Sequence, residues 1–297
     1  MSNFWAGKKV VVTGSKGFMG QWLVDKLSAF ECRIDLVDIF WGMEIRDYDL
    51  MQKGLGETDV IFHLAAISGV EHSRDLGFEA IDINVRGTYT VLEAALKQPK
   101  PPIVLVATSN HVYGHQDKYP VPESAGMFQM DTYSASKVCA DVLTRAYWHN
   151  YGLPTAAVRN TNCFGPSSPH KDHLIEGTIL SILRGEKPVI KGKGLTKKSY
   201  MHVEDTIDAY LKIAELVDKH PGEAWNVAGL PYSVKEVVET ICEVMGWEGG
   251  IEILGKHDDQ ADENMDTSKI RGLGWKPKWS LRATIEDTVE YYRSNTS

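Results

Sequence analysis

Short apolar runs alternate along the chain with stretches in which apolar residues recur at helical spacing. Residues 9–12, 33–37, 60–64, 103–107 and 155–158 read as buried strands, and 21–30, 81–96 and 133–151 as helices between them. The interruptions fall at turn chemistry, in the Pro-rich 99–102 segment and at Gly152-Leu153-Pro154. Strand–helix alternation of this kind predicts an α/β fold with a parallel sheet covered on both faces. Beyond Gly165 the texture changes. The chain turns rich in Gly, Pro, Lys and His as far as Lys198, then yields helical patterns over 234–245 and 281–294. We therefore expect 1–165 to form one unit, with the chain returning to it around 199–228. Residues 166–297 are expected to form mainly a smaller C-terminal lobe in contact with substrate.

Composition narrows the classes. With 43% hydrophobic and 24% charged residues in 297, the chain can bury a large core and is not extensively disordered. A net charge of −8 argues against a general nucleic-acid binder, and an anionic ligand would need local cations or helix N-termini. Four cysteines (Cys32, Cys139, Cys163 and Cys242) are widely spaced without a CxxC pair, which predicts thiols rather than disulfides and no metal site. Neither a signal-like apolar core nor a run of about 18 apolar residues is present, so a cytoplasmic protein without a membrane partner is expected.

Two patterns carry chemistry. The first strand runs into Thr13-Gly14-Ser15-Lys16-Gly17-Phe18-Met19-Gly20. Gly14 permits a tight turn, Gly17 lets backbone approach a diphosphate, and Gly20 lets the following helix pack close to the sheet. Asp38 ends the second strand, 18 residues beyond Gly20, close to the spacing of a carboxylate that binds an adenosine ribose. Such a carboxylate repels a 2′-phosphate, so NAD is expected over NADP. The second pattern is Tyr133-Ser134-Ala135-Ser136-Lys137, whose tyrosine and lysine share a helix face. A nearby ammonium is expected to lower the tyrosine pKa and make it a usable base. Ser109, at the carboxyl end of the strand before it, is placed to hydrogen-bond the same substrate oxygen.

With these residues in place the chain resembles the extended short-chain dehydrogenase/reductases that modify nucleotide sugars, the group of UDP-galactose 4-epimerase and the sugar-nucleotide 4,6-dehydratases. The resemblance also rests on His63-Leu64-Ala65-Ala66, Asp82-Ile83-Asn84-Val85-Arg86-Gly87-Thr88, Arg159-Asn160-Thr161-Asn162-Cys163-Phe164-Gly165-Pro166, His202-Val203-Glu204-Asp205, Asp266-Thr267-Ser268-Lys269 and Leu273-Gly274-Trp275-Lys276-Pro277. It implies a Rossmann-type doubly wound sheet and a nucleotide-diphosphate sugar as substrate. It implies that Gly14, Lys16, Gly17, Phe18, Met19, Gly20, Asp38, Leu64, Ala65, Ala66 and Asn84 surround NAD. Tyr133 would take the hydroxyl proton, Lys137 would hold the ribose and tune Tyr133, and Ser109 would orient the substrate oxygen. Asn162 would contact the sugar nucleotide. A homodimer would form through helices near 84–96 and 133–151, with Val142, Tyr147 and Trp148 as candidate contacts, although a buried core face explains those three equally well.

The chain departs from that pattern in three places. The segment between Asp38 and Val60 is short, where relatives usually carry another strand and helix; Glu44-Ile45-Arg46-Asp47 takes the place of a GD(L/I)RD segment, so Glu44 and Ile45 are expected near the adenine. Lys198 stands where a phosphate-binding arginine is expected, and Lys256 is a candidate for a second. Asn110 and His111 follow Ser109, where the dehydratases place an acid pair; His111 is a candidate second acid–base group. An NAD-retaining epimerase is the leading expectation, with a 4,6-dehydratase or a 4-keto-sugar reductase as rivals, and a cofactor-sensing protein without turnover as a more distant reading. Residues within 165–198 and 225–262 are expected to select base and sugar.

Overall fold

The computed structural model describes residues 4–128, 131–256 and 262–295; residues 257–261 of the 225–262 stretch lie outside it. In chain order the elements are β1 (Lys9–Thr13), α1 (Phe18–Leu27), β2 (Arg33–Val37), α2 (Tyr48–Leu55), β3 (Val60–His63), α3 (Val70–Leu76), α4 (Phe78–Ile81) and α5 (Gly87–Leu96). They continue with β4 (Ile103–Ala107), α6 (Thr132–Tyr151), β5 (Thr155–Asn160), β6 (Asn162–Phe164), α7 (Leu174–Leu183), β7 (Val189–Ile190) and β8 (Lys197–His202). The last are α8 (Val203–Ala214), β9 (Glu223–Val227), β10 (Pro231–Ser233), α9 (Val234–Met245), β11 (Glu252–Ile253), α10 (Ser268–Gly272) and α11 (Leu281–Asn295).

Six parallel strands form one sheet in the order β2-β1-β3-β4-β5-β9. Alternate side chains of β1 enter opposite cores. Val10 and Val12 join Leu23, Leu27, Phe62, Tyr210 and Trp225 on the α1/α8 face, and Val11 joins Ile61, Val91, Leu92 and Ala140 on the α5/α6 face. This is the parallel sheet covered on both faces that the alternation predicts, in the doubly wound Rossmann arrangement that the resemblance implies. The strand order reverses between β1 and β3, and ligands of open α/β sheets bind outside the carboxyl ends of the strands at that point. A third apolar cluster joins α7, α9 and α11 through Ile175, Ile179, Val237, Ile241 and Ile285. It lies with a three-stranded sheet, β10-β8-β6, and a β11-β7 pair.

The element limits shift in instructive ways. The first helix begins at Phe18 rather than near 21, directly after Gly17. The 81–96 pattern resolves into α4, a π-helical turn over Asp82–Arg86, and α5. The shortened segment after Asp38 holds a 3-10 turn at Ile39–Trp41 and α2, without a strand. Among the described residues no helix is long and apolar enough to cross a membrane, and no group of His, Cys, Asp or Glu is arranged to hold a metal ion.

Candidate active site

The glycine turn is built as its residues require. Gly14 has φ +68°, and a Cβ on it would meet the Ala65 backbone nitrogen at 2.7 Å. A Cβ on Gly20 would overlap the Gly14 carbonyl oxygen. Gly17 caps α1 without a side-chain hydrogen bond, and the first turn, with Phe18 and Met19 half-buried, carries no acidic residue. The positive end of the helix therefore faces the turn. Ser15 is buried, and its Oγ has no hydrogen-bond partner. Asp38 is also buried; its Oδ2 accepts from the Lys16 amide at 2.9 Å and its Oδ1 from the Phe40 amide at 3.0 Å. The Lys16 ammonium lies over the Phe40 and Trp41 rings, 5.5 and 5.3 Å from their centroids.

Behind the turn, His63 bonds Thr13 Oγ1 at 2.7 Å, and burial followed by the Lys137 charge depresses its pKa to about 3, so it is neutral. Thr13 Oγ1 accepts from the Ala65 amide, and Leu64, Ala65 and Ala66 are half-buried on the ensuing loop. Asn84 pins that loop: its Oδ1 accepts from the Ile67 amide at 2.7 Å, and its Nδ2 donates to Ile67 O at 3.0 Å and Ser136 Oγ at 2.9 Å. With both donors engaged, Asn84 shapes the loop from behind. Glu44 is engaged as well, by the Arg46 guanidinium at 2.7 Å, while Arg46 also reaches Asp82 at 3.0 Å. Ile45 is buried against Gly87, whose missing side chain leaves it room.

The expected proton-handling residues converge. Asp131 caps α6 through the Ser134 amide, which sets Tyr133 and Lys137 on its first turns. The Lys137 ammonium donates to Ala107 O at 3.0 Å, at the end of β4, and lies 6.0 Å from the Tyr133 ring centroid. Ser109 caps the 3-10 turn Asn110–Tyr113, and the His111 ring meets the Tyr133 ring edge-on at 5.8 Å. One expectation is corrected here. Burial pushes Tyr133 up to about 12, opposed by its hydrogen bond with Ser109. Lys137, depressed to about 8 by burial, spends its charge on a carbonyl rather than on the phenol.

The substrate side holds a residue absent from the sequence reading. Glu263 Oε2 accepts from Asn110 Nδ2 at 2.7 Å and from Asn162 Nδ2 at 3.1 Å, and its Oε1 lies 3.3 Å from Lys198 Nζ. Lys198, expected as a phosphate-binding cation, has its charge compensated by Glu263. Lys256 is exposed, and its backbone joins Lys191 beside the β7/β11 pair, away from these groups. A buried ion pair joins α6 to β5. Arg159 donates to both Asp141 oxygens at 2.7 and 2.9 Å and to Tyr113 Oη at 2.8 Å. Tyr113 donates to Asn226 at 2.6 Å, and Asn226 Nδ2 reaches Val121 O and Asp266 O.

Residues 10–228 match the model of the NAD dependent epimerase/dehydratase family. The chain belongs to that family. It is 31% identical to dTDP-glucose 4,6-dehydratase 1 of Escherichia coli K12, over 97% of this chain and 93% of that one. Its fold matches UDP-glucose 4-epimerase of Thermotoga maritima, solved with UDP-glucose, at TM-score 0.89 and 25% identity over 97% and 100% of the chains. It also matches the dTDP-glucose 4,6-dehydratase of Streptomyces venezuelae, solved with NAD, at TM-score 0.87 and 26% identity over 97% of each. The chain is accordingly an NAD-dependent enzyme of the nucleotide-sugar epimerase/dehydratase class. Its own residues fit the cofactor: the Cβ-free turn, the helix end behind it, the unpartnered Ser15 hydroxyl and the Asp38 carboxylate form a cradle for a dinucleotide. Ser15 was legible by position, inside the glycine turn. Glu263 was not, because it follows an acidic stretch that reads as solvated loop.

Proposed function

We propose that this enzyme is a nucleotide-sugar epimerase that inverts a sugar carbon in the manner of a 4-epimerase and retains NAD through turnover. Residues 1–165 with 199–228 would bind the cofactor, and the lobe from 166 onward would cover the sugar nucleotide. Bound NAD supplies a hydride acceptor and donor for the sugar carbon. Tyr133 takes the hydroxyl proton as a phenolate, a form that the positive charge of oxidised NAD would favour against the burial that pushes the phenol up to about 12, and returns it after the sugar has turned; Ser109 orients that oxygen. Lys137 holds a cation beneath them in a site shielded from water.

The turn after Ser109 carries the reading. Asn110 is an amide and cannot release a proton. Burial alone would raise the carboxyl of Glu263, yet the Lys198 ammonium, His111 and the Asn110 amide hold it below its usual value. Neither group can deliver the proton that a departing hydroxyl needs. A second reading has its own support: His111, edge-on to Tyr133, could supply that proton, which would make the enzyme a 4,6-dehydratase. The Asp38 carboxylate disfavours the NADPH-dependent reductase reading, and the assembled Ser109–Tyr133–Lys137 group disfavours a sensor without turnover.

Purified enzyme incubated without added cofactor with UDP-, GDP-, CDP- and dTDP-sugars separates these by mass spectrometry and proton NMR. A product of unchanged mass with one inverted carbon is expected. Loss of water, abolished in His111→Ala, would replace the epimerase with the dehydratase; dependence on an added reduced cofactor and a keto-sugar would indicate the reductase.

A further inference from the structure

Glu263 is held in place by its backbone before its side chain is considered. Its N–H donates to Lys197 O at 2.8 Å, and its carbonyl accepts from the Ser199 amide at 3.0 Å and Ser199 Oγ at 2.9 Å. On its other side the Val121 amide donates to Asn264 O at 2.9 Å. The segment is thus fixed between β8 and the loop that follows the Ser109 turn, and the carboxylate is not needed to anchor it.

The carboxylate projects among Asn110, Asn162 and Lys198, the side chains of the sugar-nucleotide side. An ionised carboxylate offers about four acceptor positions. Among the described residues three donors occupy it, two on Oε2 and one on Oε1. Among the described residues one position on Oε1 remains, and the side chain is still 17% exposed. The Lys198 charge that would draw in an anion is offset by the same carboxylate. A ligand group that meets Glu263 must therefore be a donor, and a second carboxylate there would be repelled in a low-dielectric pocket.

We propose that Glu263 is the sugar-reading residue of this site: it accepts a hydrogen bond from a hydroxyl or ammonium group of the sugar and rejects a sugar that carries its own carboxylate. The substrate class is then a neutral or amino sugar on a nucleotide diphosphate, not a uronate. This inference rests on the reading of the site as a nucleotide-sugar site.

Binding of UDP-glucose against UDP-glucuronate, and of dTDP-glucose against dTDP-glucuronate, tests it by calorimetry on the NAD-loaded enzyme. The wild type should prefer the neutral sugar by about tenfold or more. Glu263→Gln, which keeps the size and an acceptor oxygen but removes the charge, should bring the preference below about threefold, mainly by tightening the uronate. Glu263→Asp retains the charge and should keep the rejection. A preference unchanged in Glu263→Gln, or equal losses for both sugars in both variants, overturns the role of Glu263 and leaves the nucleotide-sugar reading standing. Where the panel selects another base, the same comparison is made with the GDP or CDP pair; a wild type that binds no UDP-, GDP-, CDP- or dTDP-sugar fails the nucleotide-sugar reading and this one with it.

Discussion

Lys137 shows how a reactive residue weakens the fold that holds it. It is 5% exposed, bonded to one carbonyl, and burial depresses its pKa to about 8 from 10.5. Below about pH 8 the folded protein carries a buried ammonium. Between about 8 and 10.5 the folded lysine is neutral while the unfolded one still binds a proton, so stability rises with pH across that window. Lys137→Met should therefore stabilise the cofactor-free protein by about 1–3 kcal/mol at pH 7, an advantage that shrinks by pH 10, while turnover collapses. Urea titrations at both pH values check this; a variant no more stable than wild type at pH 7 would contradict it. Tyr133→Phe removes the proton acceptor itself and should lower kcat by about 10²–10⁴-fold with little change in sugar-nucleotide affinity, read from NMR progress curves. The four-residue spacing of Tyr133 and Lys137 was visible in the chain because both lie on one helix. The group that compensates Lys198 comes from a segment 65 positions later, joined to β8 only by tertiary pairing.

At the scale of elements, α6 does more than present Tyr133. One turn on from Lys137 it buries Asp141, which is fully enclosed with Arg159 of β5. The pair and its Tyr113–Asn226 extension tie together α6, β5, the turn after Ser109, and the loops at Val121 and Asp266. Glu263 follows from the same connection, three residues before Asp266. Arg159→Met would leave Asp141 with Arg145, which is 35% exposed, as its remaining cation. The expected loss is about 3–5 kcal/mol in urea unfolding, more than its lost packing would explain. Strands and helices were legible as alternating periods, and their order predicted the parallel sheet. The π-helical turn at 82–86 was not, since one extra residue per turn leaves no mark on apolar spacing over five residues. Nor was the early start of α1, because Gly20 reads as the end of the turn although it lies inside the helix.

For the whole molecule, pairing through α5 and α6 is the remaining inference, and the structure narrows its contacts. Tyr147 is buried with its hydroxyl on Glu93 at 2.8 Å, and Trp148 packs on Gly222, whose added Cβ would overlap the indole. Tyr147 is taken up by the core and Trp148, half-buried, packs within its own subunit, in line with the core alternative for both. A sequence pattern marks an apolar residue without saying whether its own sheet or a second copy covers it, and here the sheet claims two of the three. Val142 stays 48% exposed on α6, and Tyr89 is 41% exposed on α5, which packs beside it. These are the exposed apolar positions that a second copy packed on α5 and α6 would cover. If a second copy covers them, Tyr89→Arg with Val142→Arg places charges in that contact. The double variant should run as a monomer in size-exclusion with light scattering, while the wild type runs as a dimer at micromolar concentration. Neither position touches the Ser109–Tyr133–Lys137 group, so the variant should keep its circular dichroism and its NAD affinity. A wild type that is already monomeric would assign the two side chains to the free surface and remove the helix pair as an interface.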